Sequence, residues 1–257
     1  MAVVVPKPRS LRDQVSPEEW AARVDLACAY RLVAHHGWTW MIYNHISARV
    51  PGHEHQFLLN PFGLHYTEVT ASNLVKIDLD GKILDGSPYP INDAGFTIHS
   101  AIHGARHDVA AVLHTHTEAG GAVSALDAGL LPFSQDALLF YNRIAYHDFE
   151  GIALDLDERS RLVRDLGPHH AMILRNHGLL TCGRSVAEAF LFMYVLERVC
   201  RSQLAMMATG AAFRLPPPEV CEKTALQYRC NRGEVAGVDE WPHWVRMMDA
   251  LDPSYRS

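Results

Sequence analysis

The chain has 257 residues, 48% hydrophobic and 20% charged, with a formal net charge of -6. That balance suits one large α/β domain with short extensions and excludes the basic surface of a nucleic-acid binder. No apolar run reaches the roughly 18 residues that span a bilayer, Met1-Ala-Val-Val-Val-Pro6 lacks the charged start of a signal peptide, and Cys28, Cys182, Cys200, Cys221 and Cys230 form no C-x-x-C pair, which points to buried thiols in a reducing, cytoplasmic compartment.

Residues 1–15 read as a loose arm. Ser16-Pro-Glu-Glu19 opens a helix, with Ser at the N-cap, Pro at the first position and Glu at the third. The helix runs to about His36 and stops at Gly37. Ile46–Val50 and Gln56–Leu59 are strands around the turn Pro51–His55. Asn60-Pro-Phe-Gly63 is a turn, and Thr70–Leu74 a helical turn. Val75–Leu79 is a strand that enters a hairpin turn at Asp80-Gly81. Phe96–His107 is helical, with Ile98, Ala101, Ile102 and Ala105 on one face. Val109–Leu113 is an apolar run with polar neighbours, hence a buried strand. Glu118–Ala128 is a Gly/Ala-rich helix and Asp157–Leu166 a charged one. Ala171–Leu174 and Leu179–Cys182 are short strands. Ser185, with Glu188 completing a capping box, starts a long helix to about Thr209. Pro216–Pro218 breaks the chain. Val238–Leu251 is a helix whose Trp241, Trp244 and Met247 pack on the core or on a neighbouring subunit. This order gives helices on both faces of a central, mostly antiparallel sheet. The divisions are an arm (1–15), a domain (16–212) and a C-terminal extension (213–257).

His114-Thr-His116 follows the apolar strand directly. Two His at i and i+2 leave a strand on the same face. His177 closes the turn after the strand Ala171–Leu174 and offers a third imidazole. Three neutral imidazoles with an open fourth position make a catalytic zinc site; the plainer alternative is scattered polar residues in a chain with 16 His. Asn176 positions the turn that presents His177. Cys182 packs as a small hydrophobe. His35, His36, His53, His55, His103, His107, His169 and His170 lack such pairing and read as surface residues.

Tyr43-Asn-His-Ile-Ser-Ala-Arg49, Asn60-Pro-Phe-Gly63, Gly95-Phe-Thr-Ile-His99, His114-Thr-His116 and Arg175-Asn-His-Gly178, with the long helix after Ser185, resemble the class II aldolase/adducin family over about residues 18–210. The resemblance implies an αβα sandwich and a divalent metal, zinc or else manganese, on His114, His116 and His177. It also implies a homotetramer with sites at subunit interfaces. The departures point elsewhere than a sugar phosphate. The family's sugar-phosphate aldolases carry a general-base Glu four residues before the position of His99, where this chain has Gly95. They hold phosphate with a G-N-x-S turn and a Ser pair, where this chain has Asn44-His45-Ile46-Ser47 and Asp93-Ala94. Their proton-donating interface Tyr falls near Gln135.

Two functions stay open on these residues. One is metal-dependent carbon–carbon cleavage, retro-aldol or decarboxylative, of an unphosphorylated hydroxy-acid, hydroxy-carbonyl or aromatic substrate. Asp93, Tyr141 or His147 would then replace the missing base. Arg49, Arg143 or His45 would hold an acid group, and aromatic residues at the mouth, Phe62 and Tyr66 among them, would face the substrate. His99 is either a neighbour of the metal site or a core histidine. The other function is an adducin-like, non-catalytic interaction module with a residual metal site. Neither reading involves nucleic acid or a membrane.

Overall fold

Alternation along short strands determines which side chains meet which helices. The computed structural model describes residues 11–152, 157–231 and 236–257. Seven strands, β1 (His45–Arg49), β2 (Gln56–Leu59), β3 (Val75–Asp78), β4 (Ala111–Thr115), β5 (Ile144–His147), β6 (Ala171–Leu174) and β7 (Gly178–Gly183), form one sheet in the order β3-β2-β1-β4-β7-β6-β5. Every neighbouring pair is antiparallel except β5 and β6.

Ile46, Ala48, Ala111, Leu113, Ala171, Ile173 and Leu179 face one layer. There they pack with α1 (Pro17–His35), α3 (Glu118–Ser124), α5 (Val186–Ala208) and α7 (Trp241–Leu251). Val112, Met172, Leu174, Leu180 and Cys182 face the other way, against α2 (Asp93–Ala105) and α4 (Glu158–Leu166). The result is an αβα sandwich with both sheet faces buried. Ser16 and Ser185 cap α1 and α5, each accepting the backbone N–H three residues on at 3.1 Å. Glu188 departs from the expected box. Its carboxylate reaches past Ser185 to the Arg184 N–H at 2.6 Å, where the Arg184 guanidinium also meets it.

Several boundaries differ from the sequence expectation. The polar-aromatic stretch around Tyr146 contains the edge strand β5, which rests on pairing with β6 rather than on strong alternation of its own. Pro218 does not break the chain but starts α6 (Pro218–Asn231), at a position where a missing N–H costs nothing. Helix α3 ends at Ser124, four residues early, and the chain turns at Gly129 with φ +60°. Trp241 and Trp244 pack on the buried Phe190, with ring centroids 6.0 and 4.8 Å away. The C-terminal helix thus covers its own subunit's core. Of the expected arm, residues 1–10 lie outside the described residues. No described helix is long and apolar enough to cross a membrane.

Candidate metal centre

Strand β4 lies between β1 and β7, so its end is enclosed on both sides. His114 points to the α2/α4 face with Val112, and His116 follows one step beyond the strand on the same side. The third ligand candidate comes from the tight turn between β6 and β7. Asn176 sits there at φ +55°, a left-handed conformation that Asn tolerates. Its N–H reaches Ser124 O at 3.3 Å, and the His177 N–H reaches Leu174 O at 3.1 Å. Gly178 lets β7 begin immediately. A Cβ there would collide with Thr115 O and would lie 3.3 Å from His116 Cδ2 and 3.4 Å from His114 Cε1.

The three rings form a nearly equilateral group, with centroids 4.6, 4.7 and 4.6 Å apart. Their donor nitrogens lie within 4.8 Å of one another. His114 Nδ1 is 2.8 Å from Leu179 O. A carbonyl only accepts, so Nδ1 carries the proton and Nε2 presents a lone pair. That Nε2 lies 2.8 Å from His116 Nε2. A tetrahedral zinc ion with nitrogens at about 2.0–2.1 Å separates its ligand atoms by about 3.3 Å, so small ring movements would admit it. Burial pushes all three imidazoles below their ordinary pKa: His177 to about 4, helped by His116 and His147, and His114 well down, helped by His177 and His116. Neutral imidazole is the form that binds a metal ion. The donor set therefore fits a divalent ion.

Around this group lie further polar side chains. His45 is the register partner of His114 and is 6% exposed. Ser47, on the same face of β1, bridges His99 Nδ1 at 2.6 Å and His103 Nε2 at 2.8 Å. His99 is fully buried, its ring 5.9 Å from that of His45. His103, expected at the surface, is buried and stacked on Phe57 at 4.9 Å. Its position four residues after His99 puts both on the sheet-facing side of α2. On the opposite flank, His147 ends β5. Its Nδ1 donates to Asp165 Oδ2 at 2.8 Å, and its Nε2 lies 3.4 Å from Glu158 Oε1. His147, Phe149, Glu158, Arg175 and His177 line one small cleft.

Other candidates are placed elsewhere. Arg49 lies at the far end of β1 from His45 and is spent on the backbone carbonyls of Val109, His103, Arg106 and Glu54. Tyr66 is fully buried against Tyr30, with centroids 4.6 Å apart, as a core residue. Tyr141 precedes β5, at the opposite end of that strand from His147, and its carbonyl accepts from Arg143. Arg143 also pairs with Glu222 at 2.7 Å. Asp93 is exposed on the first turn of α2. Phe62 is half-buried beside Tyr43. Cys182 lies four residues along β7 from Gly178, and burial pushes its thiol to about 12, as befits a packed core residue. Sequence reasoning missed Ser47, Glu158 and Asp165. The last two stand seven residues apart, two turns along one face of α4, and that spacing was the available signal.

The family model for the class II aldolase and adducin N-terminal domain matches residues 24–204. The crystal structure of an aldolase II superfamily protein from Pseudomonas syringae is 52% identical, covers 97% of this chain and 100% of that one, and superposes with a TM-score of 0.91. The L-fuculose 1-phosphate aldolase from Glaciozyma antarctica is 28% identical with a TM-score of 0.82, covering 98% and 97% of the two chains. Alpha-adducin of Rattus norvegicus is 47% identical over 191 residues, 73% of this chain and 26% of that one. The match across most of the chain, on a sheet that ends in this histidine group, makes the protein a member of the class II aldolase and adducin family.

Proposed function

We propose that the protein is a metal-dependent carbon–carbon lyase holding one divalent ion, zinc, on His114, His116 and His177. Its substrate is an unphosphorylated hydroxy-acid, hydroxy-carbonyl or aromatic compound, cleaved by a retro-aldol or decarboxylative route. The observation that carries this reading is three neutral imidazole donors within 4.8 Å of one another, which leave coordination positions for a substrate. A divalent ion there supplies Lewis-acid polarisation of a substrate oxygen and a sink for charge that develops as the bond breaks. The chain's own groups supply orientation and proton handling. Leu179 O fixes the His114 tautomer. We assign His147 to move the proton. It shares a cleft with His177, Asp165 accepts from its Nδ1–H, and Glu158 Oε1 lies 3.4 Å from its Nε2. Asp93 carries less weight because it is exposed on the first turn of α2, and Tyr141 because it lies at the end of β5 opposite His147.

Against a phosphorylated substrate stands the lining at positions 44 and 45. Asn44 and His45 are bulky, buried and neutral, and a dianion needs exposed N–H groups or cations. The test uses metal-loaded protein and a panel of hydroxy acids and β-hydroxy carbonyl compounds, with release of carbon dioxide or a small aldehyde as the readout. Fuculose 1-phosphate is the control and should turn over poorly. Products with no carbon lost would overturn the lyase reading, and fast phosphate-ester cleavage would overturn the substrate class. The 47% identity to alpha-adducin favours one second reading, a non-catalytic interaction module. Metal uptake without turnover of any compound in the panel would support it.

A further inference from the structure

Position 95 has no room for a side chain. Helix α2 passes over β1 there, and a Cβ on residue 95 would lie within 2.5 Å of His45 Cδ2, with Cγ and Nδ1 as close. Real Cβ atoms do not approach that near, and the ring is enclosed, so it cannot simply swing aside. His45 and any side chain at 95 therefore compete for one volume. That volume borders the metal centre. His45 pairs with His114 across β1 and β4, on the same sheet face.

Inside this volume His45 Nε2 has no hydrogen-bond partner among the described residues. The preceding residue, Asn44, is held at φ +72° and buried, and neither end of its amide has a partner among the described residues. An unpaired buried polar atom costs about 1–3 kcal/mol, so adjacent residues that leave three such atoms at the end of β1 that pairs with His114 mark a place for a ligand. All three atoms belong to neutral groups, an amide and an unprotonated imidazole, and these suit hydroxyl and carbonyl oxygens better than a phosphate.

We propose that His45 occupies the space denied to residue 95 and there hydrogen-bonds an oxygen of a metal-bound ligand, with Asn44 beside it. The glycine at 95 is thus the consequence of the histidine at 45. This rests on the metal reading given above. The probe is acetohydroxamate, a neutral chelator with adjacent hydroxyl and carbonyl oxygens, titrated into zinc-loaded protein by calorimetry. His45→Ala should weaken it about tenfold, one hydrogen bond's worth, at unchanged zinc content. His45→Gln, which keeps a donor and an acceptor, should recover part of the loss. Gly95→Ala should lower both Tm and acetohydroxamate affinity. His45→Ala/Gly95→Ala should restore Tm but not affinity. Equal affinity of wild type and His45→Ala at full zinc occupancy would overturn this proposal while leaving the metal reading intact. An unchanged Tm in Gly95→Ala would overturn the shared volume. Failure of the wild type to take up zinc would remove both readings, and would do so in the metal assay before any chelator is added.

Discussion

Two histidines on α2 owe their positions to one hydroxyl. Ser47 can donate to only one of His99 and His103 and must accept from the other, so the three form a polarised chain inside the α2/sheet interface. Ser47→Ala strands two buried ring nitrogens. We expect a loss of about 1–3 kcal/mol in urea unfolding, and a loss below a few tenths would show the chain to be dispensable. The same burial makes the fold acid-sensitive. His103 is pushed down to about 3 by burial and then by Arg49, and His45 to about 3 by burial and then by His116. Between pH 6.5 and 3 the unfolded chain takes up these protons and the folded chain does not. Stability is therefore flat above 6.5, falls as pH drops through that window by up to about 1.4 kcal/mol per unit per histidine, and levels off below it. Urea midpoints measured from pH 7 to 4 should show this slope, and His103→Gln should reduce it; an unchanged slope would contradict the assignment. At this scale the sequence was legible where spacing carried the information. His114 and His116 announce a shared face by period two, whereas His103 looks like a surface residue until α2 is docked and Ser47 is seen opposite it.

The turn between β6 and β7 is the element on which the metal centre depends. Asn176 bends the chain, His177 projects from it, and Gly178 lets β7 pair at once with β4. Gly178→Ala would drive a methyl group into Thr115 O and against both other histidines. We expect about 1–3 kcal/mol of destabilisation and at least about tenfold weaker zinc binding, measured by chelator competition; wild-type affinity would show that the turn is not what positions the ligands. Elements with their own signals were readable in advance: α1 and α5 from their serine caps, and β4 and β6 from apolar runs. β5 and α6 were not, for opposite reasons. β5 has little alternation and exists because β6 offers it a partner. α6 begins at a proline in a Pro-rich stretch, and only its later packing on the turn at Asp136–Phe140 makes a helix worthwhile there.

Across the whole molecule the sandwich places its metal centre near the middle of the sheet and its buried charge at one edge. Arg23 of α1 is fully enclosed. It pairs with Glu19 at 3.0 Å and Asp85 at 3.2 Å and donates to the carbonyls of Ala71 and Leu74, tying the first helix to the β3 edge. Arg23→Ala would leave the Asp85 carboxylate without its cation and Glu19 with Lys76 alone, at 2.9 Å, a loss of about 3–5 kcal/mol that thermal or urea unfolding should register. No sequence pattern pointed to that charge, because it is buried by strands far along the chain. The resemblance implies a homotetramer, but Trp241 and Trp244, which could have packed on a neighbouring subunit, are buried in this one. Among the exposed large apolar residues are Trp40, Met41 and Tyr43 on one segment and Phe149 and Ile152 on another, and the Phe149 ring stands 6.3 Å from that of His177. We propose that these surfaces are covered by neighbouring copies of the chain. Light scattering should give a multiple of the chain mass, a tetramer, across dilution, and a monomer throughout would refute it. Elemental analysis of purified protein beside its His114→Ala and His177→Ala variants tests whether this fold presents a working metal site. About one zinc ion per chain is expected in the wild type and none in either variant, with each variant still folded by circular dichroism. A folded wild type that takes up no divalent metal, or variants that hold it as well as the wild type, would contradict it.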